Sequence, residues 1–123
     1  MKAGAPRIQL FGRKDSRDTQ RALRFFKERR VEVSFVDVTV KPPAPAELRR
    51  FARAGGAAAL LDTNSRRYGE VGLGYMRLDE AETLERVLGD PGLLRLPLAR
   101  FGDEVSVGVD EAAWKRWVAA AAP

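Results

Sequence analysis

Ile8-Gln9-Leu10-Phe11-Gly12, followed by RKDSRDTQRALRFF at residues 13–26, is a short apolar run that stops at a glycine and opens into a helical pattern. The run is β-compatible and reads as a first strand, ending at Phe11. Beyond it, Asp15 or Ser16 can accept a hydrogen bond from a free N–H of a helix's first turn. Ala22, Leu23, Phe25 and Phe26 then set one apolar face, and Lys27, Arg29 and Arg30 fall where the negative end of the helix dipole favours cations. A strand therefore delivers a helix start carrying two hydroxyl residues three apart, Ser16 and Thr19.

Outward from this unit, Val31, Val33, Phe35 and Val36 to Val38 read as a second strand, partly alternating, which Lys41-Pro42-Pro43-Ala44-Pro45 must break. Helical spacing returns over 46–54, with Leu48, Phe51 and Ala52 on one side and Gly55-Gly56 as the stop. Residues 57–78 read as short helices and loops. A helix is expected over 79–88, with acidic residues crowded into its first turn and Gly89-Asp90-Pro91 ending it. Residues 96–107 read as a hairpin turning at Phe101-Gly102-Asp103-Glu104, with Pro97 just inside its first strand, a place where proline leaves a ladder bond unmade. Asp110 then caps a last helix in which Trp114, Trp117 and Val118 share a face, before an Ala-rich tail frays.

The order β-α-β-α-helical segment-α-β-β-α predicts an α/β protein with a small mixed sheet covered by helices. A parallel pair, β1-α1-β2, followed by an antiparallel hairpin fits a thioredoxin-like fold. The expected organisation is one domain over residues 1–123, since there is no internal repeat and no linker long enough to separate a second.

Two absences restrict the chemistry. With no cysteine among its 123 residues, the chain has no thiolate nucleophile and can form no disulfide. With no histidine, it lacks the commonest general base near neutral pH and, with cysteine also missing, both principal zinc ligands. No cofactor is expected. Residues 1–30 carry ten basic and three acidic side chains, whereas residues 31–123 carry twelve and fourteen, so the net charge of +5 comes entirely from the N-terminal quarter. Such asymmetry can mark an acidic partner or a phosphate backbone. The N-terminal MKAGAPR has charge but no apolar stretch behind it, and no run approaches a membrane span, so the cytoplasm is the expected location.

Several segments together resemble the family of arsenate reductases (ArsC) and Spx-like transcriptional regulators. They are the strand-then-helix start, VDVTVKPPAPAEL at 36–48, LLDTNSRRYGEVGL at 60–73, DPGLLRLPL at 90–98 and VGVDEAAWKRW at 107–117. The last two look closest to the Spx-like branch, where a Pro-Gly-Leu-Leu-Arg-Arg-Pro run precedes the final hairpin. The resemblance implies a thioredoxin-like fold with a helical insertion. It places the family's redox cysteine at Ser16, its second serine or cysteine at Thr19, and the arginine that follows at Gln20. The arginine before the family's cis-proline falls on Leu96, with Pro97 keeping the proline. The arginine that follows the Leu-Leu pair in arsenate reductases falls on Asp62. Each reacting or oxyanion-holding position is thus altered: a serine hydroxyl is barely ionised at neutral pH, and Asp62 reverses the charge an oxyanion needs.

For Ser16 and Thr19 the functional alternative is an anion site at the helix start, aided by Arg13, Lys14 and Arg17; the preferred reading is an N-cap with a hydroxyl at the third helical position. Arg17, Arg21 and Arg24 align along one side of the first helix, as a stripe for an acidic protein surface or phosphates, or as an ordinary solvated face. No aromatic residues interleave the stripe, which weighs against direct nucleic-acid binding. The leading expectation is a non-catalytic interaction module, for which the resemblance implies the C-terminal domain of the RNA polymerase α subunit as the first partner to test. The alternatives are an arsenate reductase-like or glutathione-dependent oxidoreductase whose thiols all come from partners, and a binder of small anions or glutathione without turnover.

Overall fold

A computed structural model of the chain describes residues 8–121, which group into two compact units. One comprises the residues up to Asp37 together with those from Leu96 onward, and the other is Val38–Arg95. The readings made for residues 1–7 and for the last two residues of the Ala-rich tail lie outside the described residues.

The first unit contains β1 (Ile8–Gly12), α1 (Arg17–Glu28), β2 (Val33–Asp37), β3 (Leu98–Phe101), β4 (Glu104–Val107) and α5 (Glu111–Ala121). Its four strands lie in the order β2-β1-β3-β4. β1 runs parallel to β2, with Leu10 opposite Phe35, and antiparallel to β3, with Leu10 opposite Ala99. β3 and β4 form the antiparallel hairpin. This is the thioredoxin-like arrangement expected from the order of elements. Position in the sheet explains the burial of each strand. β1 is central and almost continuously buried, whereas all five residues of the edge strand β2 are half-buried, without the alternation its sequence suggested.

The core of this unit is aromatic. Trp114 and Trp117 on α5 are both buried, with Phe25 and Phe26 of α1 and Ile8 and Leu10 of β1 in the same cluster. Phe25 and Phe26 meet edge to face at 5.3 Å, and both lie within 5.7 Å of the Trp114 ring. Phe101 stacks on Trp117 at 5.9 Å. The Trp114 indole N–H donates to the buried Ser106 hydroxyl at 3.2 Å, so the polar edge of the largest core residue is satisfied. Asp110 accepts from Ala113 N at 3.1 Å and caps α5 as its position implied.

Pro97 requires one correction. It precedes β3 instead of lying inside a strand, so its missing N–H leaves no ladder bond unmade. The Leu96–Pro97 peptide is cis, and the Pro97 carbonyl accepts from Gly108 N at 2.9 Å.

The second unit is helical: α2 (Pro45–Gly55), α3 (Arg66–Glu70) and α4 (Glu80–Gly89), with single 3₁₀ turns at Ala57–Leu60, Leu73–Tyr75 and Pro91–Leu93. The expectation of short helices and loops over 57–78 is met. Pro45 sits at the first position of α2, where its fixed φ is favourable, and Gly56 ends the helix at φ +86°, a conformation open to glycine. A capping box starts α4: Asp79 accepts from Glu82 N at 2.8 Å while the Glu82 carboxylate accepts from Asp79 N at 2.9 Å. Leu48, Phe51, Leu60, Leu73, Val87 and Leu93 are buried. Among the described residues no helix is long and apolar enough to cross a membrane.

Candidate functional site

The end of β1 and the start of α1 bring Ser16 and Thr19 together, and each hydroxyl already has a structural task. Ser16 is the N-cap of α1, in extended backbone, and its Oγ accepts from Thr19 N at 3.1 Å. Thr19, the third helical residue, is wholly buried, and its Oγ1 accepts from Arg13 N at 3.4 Å. Its side chain fills the space beside Gly12. A Cβ built on Gly12 would stand 2.5 Å from Thr19 Oγ1 and 3.0 Å from Thr19 Cβ, closer than two non-bonded atoms tolerate. Glycine ends β1 because the helix turns back over it and lays Thr19 against its backbone.

This geometry restricts what the pair can do. A nucleophile needs access and an adjacent base, whereas Thr19 has no exposed surface and the Ser16 oxygen is committed to a backbone N–H. The nearest carboxylate in sequence, Asp15, is held by Arg13, with Nε to Oδ1 at 3.0 Å. Among the described residues no three acidic side chains converge as a metal site would require.

The five cations expected to form a binding face are not equivalent. Lys14, Arg17, Arg21 and Arg24 are exposed and Arg13 is half-buried. Arg13 is paired with Asp15, and the Lys14 carbonyl accepts from the Gln20 amide at 2.8 Å. Arg21 reaches Glu111 of α5, its Nε and Nη2 both donating to Oε2 at 3.1 and 2.8 Å. Among the described residues, Arg17 and Arg24 enter no ion pair and point their charge at solvent. The Arg21 hydrogen bond holds the Glu111 carboxyl below the usual glutamate range, and the Arg21, Lys115 and Arg29 charges add to that effect. Glu111 escaped sequence reasoning because it lies 90 residues from Arg21 and only the packing of α5 beside α1 brings them together.

Leu96 and Pro97 are buried in the first unit. Asp62 belongs to the second, where its N–H donates to Leu93 O at 2.8 Å and its carboxylate accepts from Asn64 N at 3.0 Å. Its side chain therefore orders the turn that leads to α3.

Comparison with known proteins bears on this arrangement. The profile described as "ArsC family" matches residues 11–117. Comparison with curated protein sequences gives no match. Among solved structures, the YffB protein superposes with a TM-score of 0.82 at 24% identity, over 94% of this chain and 99% of its own. An ArsC family related protein from Bacteroides fragilis superposes at 0.81 and 18% identity, over 93% and 99%. An arsenate reductase from Vibrio cholerae superposes at 0.74 and 14% identity, over 85% and 91%. At these identities the structural matches speak for the fold.

Proposed function

This chain belongs to the ArsC family, and from that premise we propose that it is a non-catalytic, Spx-like protein-interaction module that presents the basic face of α1 to an acidic partner. The observation that carries the proposal is the state of the two positions the resemblance assigns to redox chemistry. Neither is a cysteine, Ser16 serves as a helix cap, and Thr19 is buried against Gly12. An arsenate reductase-like reaction needs a thiolate to attack arsenic and a second thiol to resolve the adduct, and no hydroxyl can carry the electron pair of a disulfide. The family scaffold is therefore available as a surface. On that surface Arg17 and Arg24 are exposed cations without an ion pair among the described residues, one helical turn on either side of the Arg21–Glu111 clamp.

The first partner to test is RNA polymerase, through the C-terminal domain of its α subunit, as the Spx-like resemblance implies. A pull-down from native lysate, read by mass spectrometry for polymerase subunits, tests it. Recovery by the wild-type chain and not by a charge-reversed Arg17/Arg21/Arg24 variant is expected; equal recovery by both refutes the role of α1. The oxidoreductase reading requires every thiol to come from elsewhere. Turnover of arsenate with glutathione and glutaredoxin above the buffer rate would revive it and remove the non-catalytic proposal.

A further inference from the structure

The second unit carries a feature that the α1 surface does not use. Between α2 and α4 runs an open groove of about 610 Å³, lined by Arg49, Ala52, Arg53, Glu80, Ala81 and Leu84. Its volume lies in the range of small-molecule sites, roughly 300–1,000 Å³. Small side chains, Ala52 and Ala81, leave the space, and Leu84 adds an apolar wall. Arg49 and Arg53 stand one helical turn apart on α2, the spacing that puts two side chains on the same face. Among the described residues neither enters an ion pair, although their neighbour Arg50 pairs with Glu47 at 3.5 Å. The one carboxylate at the groove, Glu80, is committed on one oxygen to Ala57 N at 2.8 Å. Two unpaired guanidinium groups against one engaged carboxylate leave the groove with an excess of positive charge beside an apolar floor.

We propose that this groove binds an amphiphilic monocarboxylate, its head on Arg49 and Arg53 and its hydrocarbon chain along Ala52, Ala81 and Leu84. Guanidinium groups match a carboxylate by paired, charge-assisted hydrogen bonds, which sets the headgroup. The apolar lining sets the tail. A short polar anion would leave that lining wet, and an uncharged chain would forgo the charge-assisted bonds that the two exposed arginines offer. A buried CH₂ is worth about 0.8 kcal/mol, or roughly fourfold in affinity; because the groove is open, each added CH₂ is expected to give less, roughly twofold.

The test is calorimetry on the full chain with sodium acetate, butanoate, hexanoate and octanoate, and with octanol as the uncharged comparison. Saturable octanoate binding is expected, about 16-fold tighter than butanoate by the per-methylene factor above. Arg49→Gln/Arg53→Gln should weaken octanoate by roughly tenfold or more, the loss of a charge-assisted pair. Ala81→Trp should block binding; Ala81 is exposed on α4, so the fold tolerates the larger ring. Circular dichroism on each variant checks folding, and the two variants perturb the groove independently. No saturable binding at millimolar octanoate overturns the proposal. So does affinity that ignores chain length, octanol binding as tightly as octanoate, or full affinity in both variants. None of these outcomes touches the α1 reading, which rests on the other unit.

Discussion

Adding one methyl group to Gly12 tests whether Thr19 is part of the packing or an open reactive position. Gly12 lies in a strand, so alanine meets no backbone obstacle there and the cost is steric. The new Cβ would sit 2.5 Å from Thr19 Oγ1 and 3.0 Å from Thr19 Cβ. Overpacking of a tight core costs typically about 1–3 kcal/mol. With Thr19 wholly buried on the first turn of α1 and unable to swing to solvent, Gly12→Ala should lose roughly 2 kcal/mol, several degrees in Tm for a chain of this size. Thr19→Ala removes Oγ1 and Cγ2, and should itself cost about 1–2 kcal/mol through the lost contacts and the unpaired Arg13 N–H. The double variant is the informative one. Because Thr19→Ala deletes most of what the new methyl strikes, Gly12→Ala/Thr19→Ala should lie within about 1 kcal/mol of Thr19→Ala alone, a clear departure from additivity. Urea unfolding followed by tryptophan fluorescence reads all three. A Gly12→Ala variant as stable as the wild type, or a double variant whose loss is the sum of the singles, refutes the packing described here.

Other consequences follow from the same unit. Ser16→Ala removes the α1 cap and should cost about 1 kcal/mol, with Ser16→Asp retaining most of the stability, measured by the same unfolding curves. Cysteines placed singly at the two positions should separate by access: Ser16→Cys reacts readily with a thiol reagent, whereas Thr19→Cys reacts only as the protein opens, so Ellman kinetics distinguish them. The Glu111 carboxyl titrates below its ordinary value because Arg21 bonds it, so the stabilisation from this pair is present above the ordinary glutamate pKa and is lost as pH falls through the depressed one. Arg21→Ala should return the Glu111 carboxyl toward the ordinary range, followed by NMR titration, and an unmoved titration would refute the pairing. Trp114→Ala should cost about 3–5 kcal/mol, since it removes the ring packed against both Phe25 and Phe26 and strands the Ser106 hydroxyl.

The sequence was most legible where local chemistry and packing agree. The apolar run at Ile8, the hydroxyl at Ser16 and the face of Ala22, Phe25 and Phe26 specify β1-α1 by period and cap, and the structure follows them. Asp79 with Glu82, and Asp110 three residues before Ala113, are caps written in residue type and spacing. The sequence puts Pro97 one step too far into the strand, because an apolar residue on each side of a proline looks like a ladder position until the neighbouring strand is known. β2 shows no alternation because, among the described residues, it stands at the end of the strand order, a property of the sheet that a single strand does not encode. At the candidate site the spacing of Ser16 and Thr19 was readable, and so was the alignment of the arginines. The contact between Gly12 and Thr19 was not, since it depends on how closely α1 folds over the end of β1. Nor was the division of the basic stripe, in which Asp15 takes Arg13 and Glu111 takes Arg21 while Arg17 and Arg24 stay free among the described residues.

The interaction role is tested most directly by the affinity of the full chain for the purified C-terminal domain of the RNA polymerase α subunit. Biolayer interferometry at low and physiological salt would compare the wild type with Arg17→Glu/Arg24→Glu, which spares the Arg21–Glu111 pair. Saturable wild-type binding that weakens with salt, and falls roughly tenfold or more in the variant, is the expected result. Absence of wild-type binding, or equal affinity in the variant, would contradict an Spx-like module acting through α1.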